Sequence, residues 1–215
     1  MIMSFGAKKN TVLSSIIFIY LSLSIIFVLP IIIYILFFPG KEVVFLTPLA
    51  ATFNFNFNIP SLVFLTVSIS LVMVIDIIFI QDSENLKKNR IINEVFPDET
   101  KLYSKFIVSF LSGFFEEIFF RGYLFYLPSL FLGELFYNKA VYIVVIVLIS
   151  VIFGILHITQ GKTAAALSGA VSIIFFISIK LSSSIWLPII YHFLFNFIQL
   201  SVVLPYNRKK SRVSI

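Results

Sequence analysis

Residues 106–127 read FIVSFLSGFFEEIFFRGYLFYL, an apolar stretch as long as a membrane span, with Glu116, Glu117 and Arg121 set inside it. A charge at the centre of a spanning helix costs about 2.5–3.5 kcal/mol on insertion scales, and ionisable residues so placed mark functional sites by default. The spacing divides the three. Glu117 and Arg121 stand four residues apart, hence on one helical face where they can pair, whereas Glu116 lies about 100° round the helix from its neighbour. Glu117 is therefore expected to be neutralised by Arg121, and Glu116 to face the bundle interior as a general base, its carboxyl removed from the cation. Ser109, Ser112 and Gly113, on or near the Glu116 face, are small enough to admit a second helix. A role as helix-to-helix glue is the competing reading of the three charges.

Composition supports a membrane setting for the whole chain. The 215 residues are 60% hydrophobic and only 12% charged, with 27 Phe, and the mean hydropathy is +1.06. Soluble domains carry about 25% charged residues, so a soluble globule of this composition would expose far too much apolar surface. The fold class expected is all-α: one polytopic membrane helical bundle, residues 1–215, in the cell membrane. Cysteine is absent, which excludes disulfides and thiolate metal sites. The net charge of +6 comes from Lys and Arg beside the apolar runs, a pattern suited to anionic head groups rather than nucleic acid.

Six runs approach the roughly 20 residues that cross a 30 Å hydrocarbon core: Thr11 to Phe38, Pro60 to Ile80, Phe106 to Leu127, Ala140 to Ile158, Ala164 to Ile179 and Ile185 to Leu204. The first is too long for the apolar core of a signal peptide and is expected to remain as a helix bent near Pro30. Six spans with a cytoplasmic N-terminus put Lys8, Lys9, Lys87, Lys88, Arg90, Lys101, Lys105, Lys162, Arg208, Lys209, Lys210 and Arg212 on the cytoplasmic side. Only Lys41, Lys139 and Lys180 fall opposite. That asymmetry obeys the positive-inside rule and places both termini in the cytoplasm. Gln81 to Lys105 reads as a cytoplasmic loop with a short amphipathic stretch. Phe53 to Asn58 alternates Phe and Asn, an extended segment with one wet and one greasy face and no chemistry of its own.

The other polar groups within the spans are few. Both histidines fall there: His157, four residues after Phe153, and His192, four residues before Asn196. Each pair shares a helical face. Asp76 is expected near the cytoplasmic end of the second span, where reaching the interface accounts for it. At 1.5 Å per residue, Glu116 and His192 lie about 15 Å and about 18 Å from the cytoplasmic face, but His157 within about 3 Å of it. The fourth helix is therefore expected to continue past Ile158, with Gln160, Gly161 and Lys162 as the wet rim of a cavity open to the cytoplasm.

Glu116-Glu117-x-x-x-Arg121, then Phe153-x-x-x-His157, then His192-x-x-x-Asn196 resemble the three ordered motifs of the CAAX-protease and bacteriocin-processing (Abi) family of intramembrane proteases, over a core of four helices from Tyr103 to Phe197. The resemblance implies an endopeptidase acting on peptide or protein substrates within or beside the bilayer. It implies that Glu116 activates a water, that His157 and His192 hold that water or a metal, and that Asn196 stabilises the oxyanion. A zinc ion, if used, would take His157, His192 and Glu116, although no HExxH helix is present. Two other classes are compatible with the same residues: a non-catalytic membrane partner or immunity-type protein, and a proton-coupled transporter. The absence of an evident inverted repeat counts against the last.

Overall fold

The computed structural model describes residues 42–79 and 100–206, together with Leu36, Phe96 and Lys209. All regular structure among the described residues is helical. In chain order the helices are α1 (Glu42–Thr52), α2 (Ile59–Phe79), α3 (Leu102–Glu117), α4 (Ser129–Leu132), α5 (Lys139–Leu156), α6 (Lys162–Ser182) and α7 (Trp186–Ile198). Both α3 and α7 run on into π-helical turns, Ile118–Leu124 and Gln199–Val203.

Among the described residues, four segments are long and apolar enough to cross a membrane: Ile59–Ile78, Lys139–Leu156, Lys162–Ser182 and Trp186–Tyr206. Their outward faces show what surrounds them. On α2, Val63, Val67, Leu71, Val74 and Ile78 are all more than half exposed and recur at helical spacing, while Leu65, Ile69 and Val72 are buried on the other face. A continuous stripe of exposed aliphatic side chains belongs against lipid. The protein is an integral, multi-pass membrane protein.

Small residues set the closest helix approaches. A Cβ on Gly113 of α3 would stand 2.8 Å from the Phe193 amide nitrogen of α7, and one on Gly154 of α5 would stand 2.7 Å from the Ala165 carbonyl oxygen of α6. With little hydrophobic drive between helices in lipid, such close backbone packing and buried hydroxyl contacts hold the bundle, as in the 3.0 Å Ser172–Ser150 bond between α6 and α5.

The elements depart from the expected limits in several places. The stretch expected as the third span is a helix that starts earlier, at Leu102, and is not one of these four segments, and the fifth is a full Lys162–Ser182 rather than the shortest. The fourth helix does not continue past Ile158. It ends at Leu156 with His157 as its C-cap, passes through the 3₁₀ turn Ile158–Gln160, and reverses at Gly161, whose φ of 112° only glycine takes readily. The Phe53 to Asn58 run is an irregular connection anchored by aromatic contact. Phe55 stacks on Trp186 at 4.5 Å, Phe53 meets the same ring edge-on at 6.4 Å, and Asn58 accepts from the Ser61 amide while donating to the Leu181 carbonyl. The expected first span, Thr11 to Phe38, lies outside the described residues apart from Leu36, as do most of 81–99 and the ends of the chain on which the orientation rests.

Candidate active site

A cavity of about 350 Å³ opens between α2, α3, α5, α6 and α7. Glu116, His157, His192 and Asn196 all line it, so residues spread over 81 positions of sequence meet at one wall. Glu117 and Arg121 lie behind that wall, both fully buried.

Glu117 is the hub. Its Oε1 accepts from Arg121 Nη1 at 3.0 Å, the one-turn pair that the spacing predicts, and also from His192 Nδ1 at 2.7 Å. The second contact is not foreseeable from sequence, because it joins residues 75 apart on different helices. Arg121 in turn sits inside an aromatic box: its guanidinium carbon is 4.6 Å from the Phe153 ring centre, 5.5 Å from those of Phe175 and Phe176, and 5.9 Å from that of Phe120. Arg121 Nε and Nη2 have no hydrogen-bond partner among the described residues. The electron-rich ring faces supply the attraction that acceptors would otherwise give. The helix carries this cluster where it passes into π geometry, a rare form concentrated at functional sites.

The two histidines are held alike. Nδ1 of His192 faces a carboxylate, and Nδ1 of His157 faces the Phe153 carbonyl at 2.7 Å. Carboxylates and carbonyls only accept, so Nδ1 carries the hydrogen in both rings, and Nε2 is the nitrogen left for other partners. His192 Nε2 lies 3.9 Å from Glu116 Oε2. On its other oxygen Glu116 accepts from Ser112 Oγ at 2.5 Å, and that hydroxyl accepts from Asn196 Nδ2 at 3.1 Å. A polar relay thus runs from Asn196 through Ser112 to Glu116, whose side chain keeps 23% exposure. Sequence alone assigns Ser112 no more than close packing. Its spacing of four from Glu116 on an apolar helix is the signal that points to the relay.

One expectation changes here. Asp76 does not reach for the interface: it is 8% exposed, bonds to Gln199 of the π-helical turn after α7, and lines the same cavity. Among the described residues no three His, Cys, Asp or Glu are grouped so as to hold a metal ion.

Residues 98–198 match the family described as type II CAAX prenyl endopeptidase Rce1-like. The match makes this segment, 101 of the 215 residues, similar to the Rce1-like family. No curated protein and no solved structure matches the chain. The Rce1-like segment contains Glu116, Glu117, Arg121, His157, His192 and Asn196. Asp76 and Gln199 lie outside it.

Proposed function

We propose that this chain is an intramembrane endopeptidase that cleaves membrane-associated peptides, prenylated ones included, with a water activated by Glu116. The observation that carries this reading is the 3.9 Å gap between Glu116 Oε2 and His192 Nε2 at the cavity wall. A water placed there sits within about 2.8 Å of both atoms, the ordinary hydrogen-bond length. Glu116 takes a proton as the water oxygen bonds to the substrate carbonyl carbon. The carbonyl π electrons move onto oxygen, and the spare N–H of Asn196 Nδ2, the one not given to Ser112, stabilises that charge. The tetrahedral species collapses with cleavage of the C–N bond, and Glu116 returns its proton to the departing amine.

The remaining groups hold this arrangement in place. Glu117 and Arg121 fix the tautomer and tilt of His192, and His157 offers a second Nε2 to water or substrate. No step requires a metal. A contact-only scaffold has no use for a carboxylate and a histidine nitrogen separated by the width of a water.

The test is cleavage of internally quenched peptides by the purified chain in proteoliposomes. Glu116→Gln keeps the shape and the Ser112 contact but removes the base, and turnover should fall by about 10²–10⁴. Wild-type rates in Glu116→Gln would sink the mechanism.

A further inference from the structure

The cavity has a second acidic residue that hydrolysis does not use. Asp76 comes from α2, in register with the buried residues Leu65, Ile69 and Val72, so its carboxyl belongs to the inward face of that helix. Gln199 Nε2 donates to Asp76 Oδ2 and is its only hydrogen-bond partner among the described residues. Among the described residues that line the cavity, Asp76 and Glu116 are acidic and none is Lys or Arg. Arg121 is sealed behind the wall. Lys105, also buried, does not line the cavity and forms no ion pair with Asp76.

A buried carboxylate with a single amide donor is poorly compensated, and a cation that brings its own N–H groups compensates it best. We propose that Asp76, held by Gln199, is a binding subsite for a lysine side chain of the peptide substrate. The proposal rests on the peptidase reading of the same cavity and deepens it. Because Asp76 and Gln199 stand outside the Rce1-like segment, the subsite selects substrate and the segment supplies the chemistry.

Binding separates the two. The full chain carrying Glu116→Gln, in neutral phosphatidylcholine nanodiscs, is titrated with dansyl-labelled apolar hexapeptides in which one lysine is walked along the sequence, against empty discs. Norleucine and acetyl-lysine peptides serve as neutral partners of matched length. At one position lysine should bind about tenfold or more tighter than either, the increment for a hydrogen bond to a charged group. Adding Asp76→Asn should abolish that difference and leave the norleucine peptide within twofold. Equal binding of lysine, norleucine and acetyl-lysine at every position would overturn the subsite, a comparison that needs no second variant to fold. A lysine preference that survives Asp76→Asn would overturn it as well. If the preference holds but wild-type protein cleaves none of these peptides, the peptidase reading fails and the subsite stands. If wild-type protein cleaves them with no lysine preference at any position, the peptidase reading stands and the subsite fails.

Discussion

Gly113→Ala should disable this protein while leaving it folded. A Cβ there would stand 2.8 Å from the Phe193 amide nitrogen and 3.1 Å from the Ile189 carbonyl oxygen. Both are backbone atoms and cannot swing aside. Ordinary contact begins near 3.4 Å, so α3 and α7 must part by about 0.6 Å. Overpacking of this kind costs about 1–3 kcal/mol, and replacing a mid-helix glycine by alanine returns about 1 kcal/mol, which leaves a modest net loss of stability. The relay suffers more. The 3.1 Å Asn196–Ser112 bond joins the same two helices and would stretch to about 3.7 Å, outside hydrogen-bonding range. Misplacement on this scale should cost about ten- to a hundredfold in turnover. Thermal unfolding in detergent alongside peptide cleavage in proteoliposomes reads both quantities. Gly122→Ala is the contrast, because its Cβ would meet only side-chain tips: Leu49 Cδ1 at 3.0 Å, which can move, and Ile185 Cδ1 at an ordinary 3.9 Å. Near-wild-type turnover in Gly113→Ala would refute the idea that the α3–α7 spacing sets the site.

Arg121→Ala removes the cation paired with the buried Glu117 carboxylate and should cost about 3–5 kcal/mol, read as lost folded yield and a lower unfolding temperature. Glu116→Gln in the same expression test should stay close to wild type. Asn196→Ala should slow turnover by about 10²–10³, the usual loss for one oxyanion donor, with KM little changed. Exhaustive chelation followed by metal analysis should leave wild-type cleavage intact, and restoration of a lost activity by zinc would return the glutamate to the role of a ligand.

Much of the site is legible in the sequence because its chemistry is carried by local spacings. Glu117 and Arg121 at four residues, and Glu116 a third of a turn away, dictate one paired and one cavity-facing carboxylate, and the structure has both. What spacing does not hold is tertiary. The hydrogen bond from His192 to Glu117 spans two helices, and nothing in either helix alone requires it. For Asp76, distance from the end of the span points to the interface, but register decides. Leu65, Ile69, Val72 and Asp76 form one stripe, and the same periodicity that places the lipid-facing residues turns the acid inward. The end of the fourth helix escapes the sequence for a different reason. The apolar run gives no stop before His157, where the helix ends, and the chain then reverses at Gly161, whose positive φ becomes necessary only because α6 must pack back against α5 through Gly154 and Gly169.

The ion pair of α3 has a consequence for biogenesis. A chain entering the bilayer helix by helix must take this segment in before α7, which supplies His192, has been synthesised. Glu117 and Arg121 sit one turn apart on the same helix, with their charged groups 3.0 Å apart. They can therefore neutralise each other as soon as that turn winds, without waiting for any later part of the chain. Two charges that would each cost about 2.5–3.5 kcal/mol enter as a dipole instead. The pair that later orients the histidine is, at the translocon, what allows the helix carrying the site to leave water.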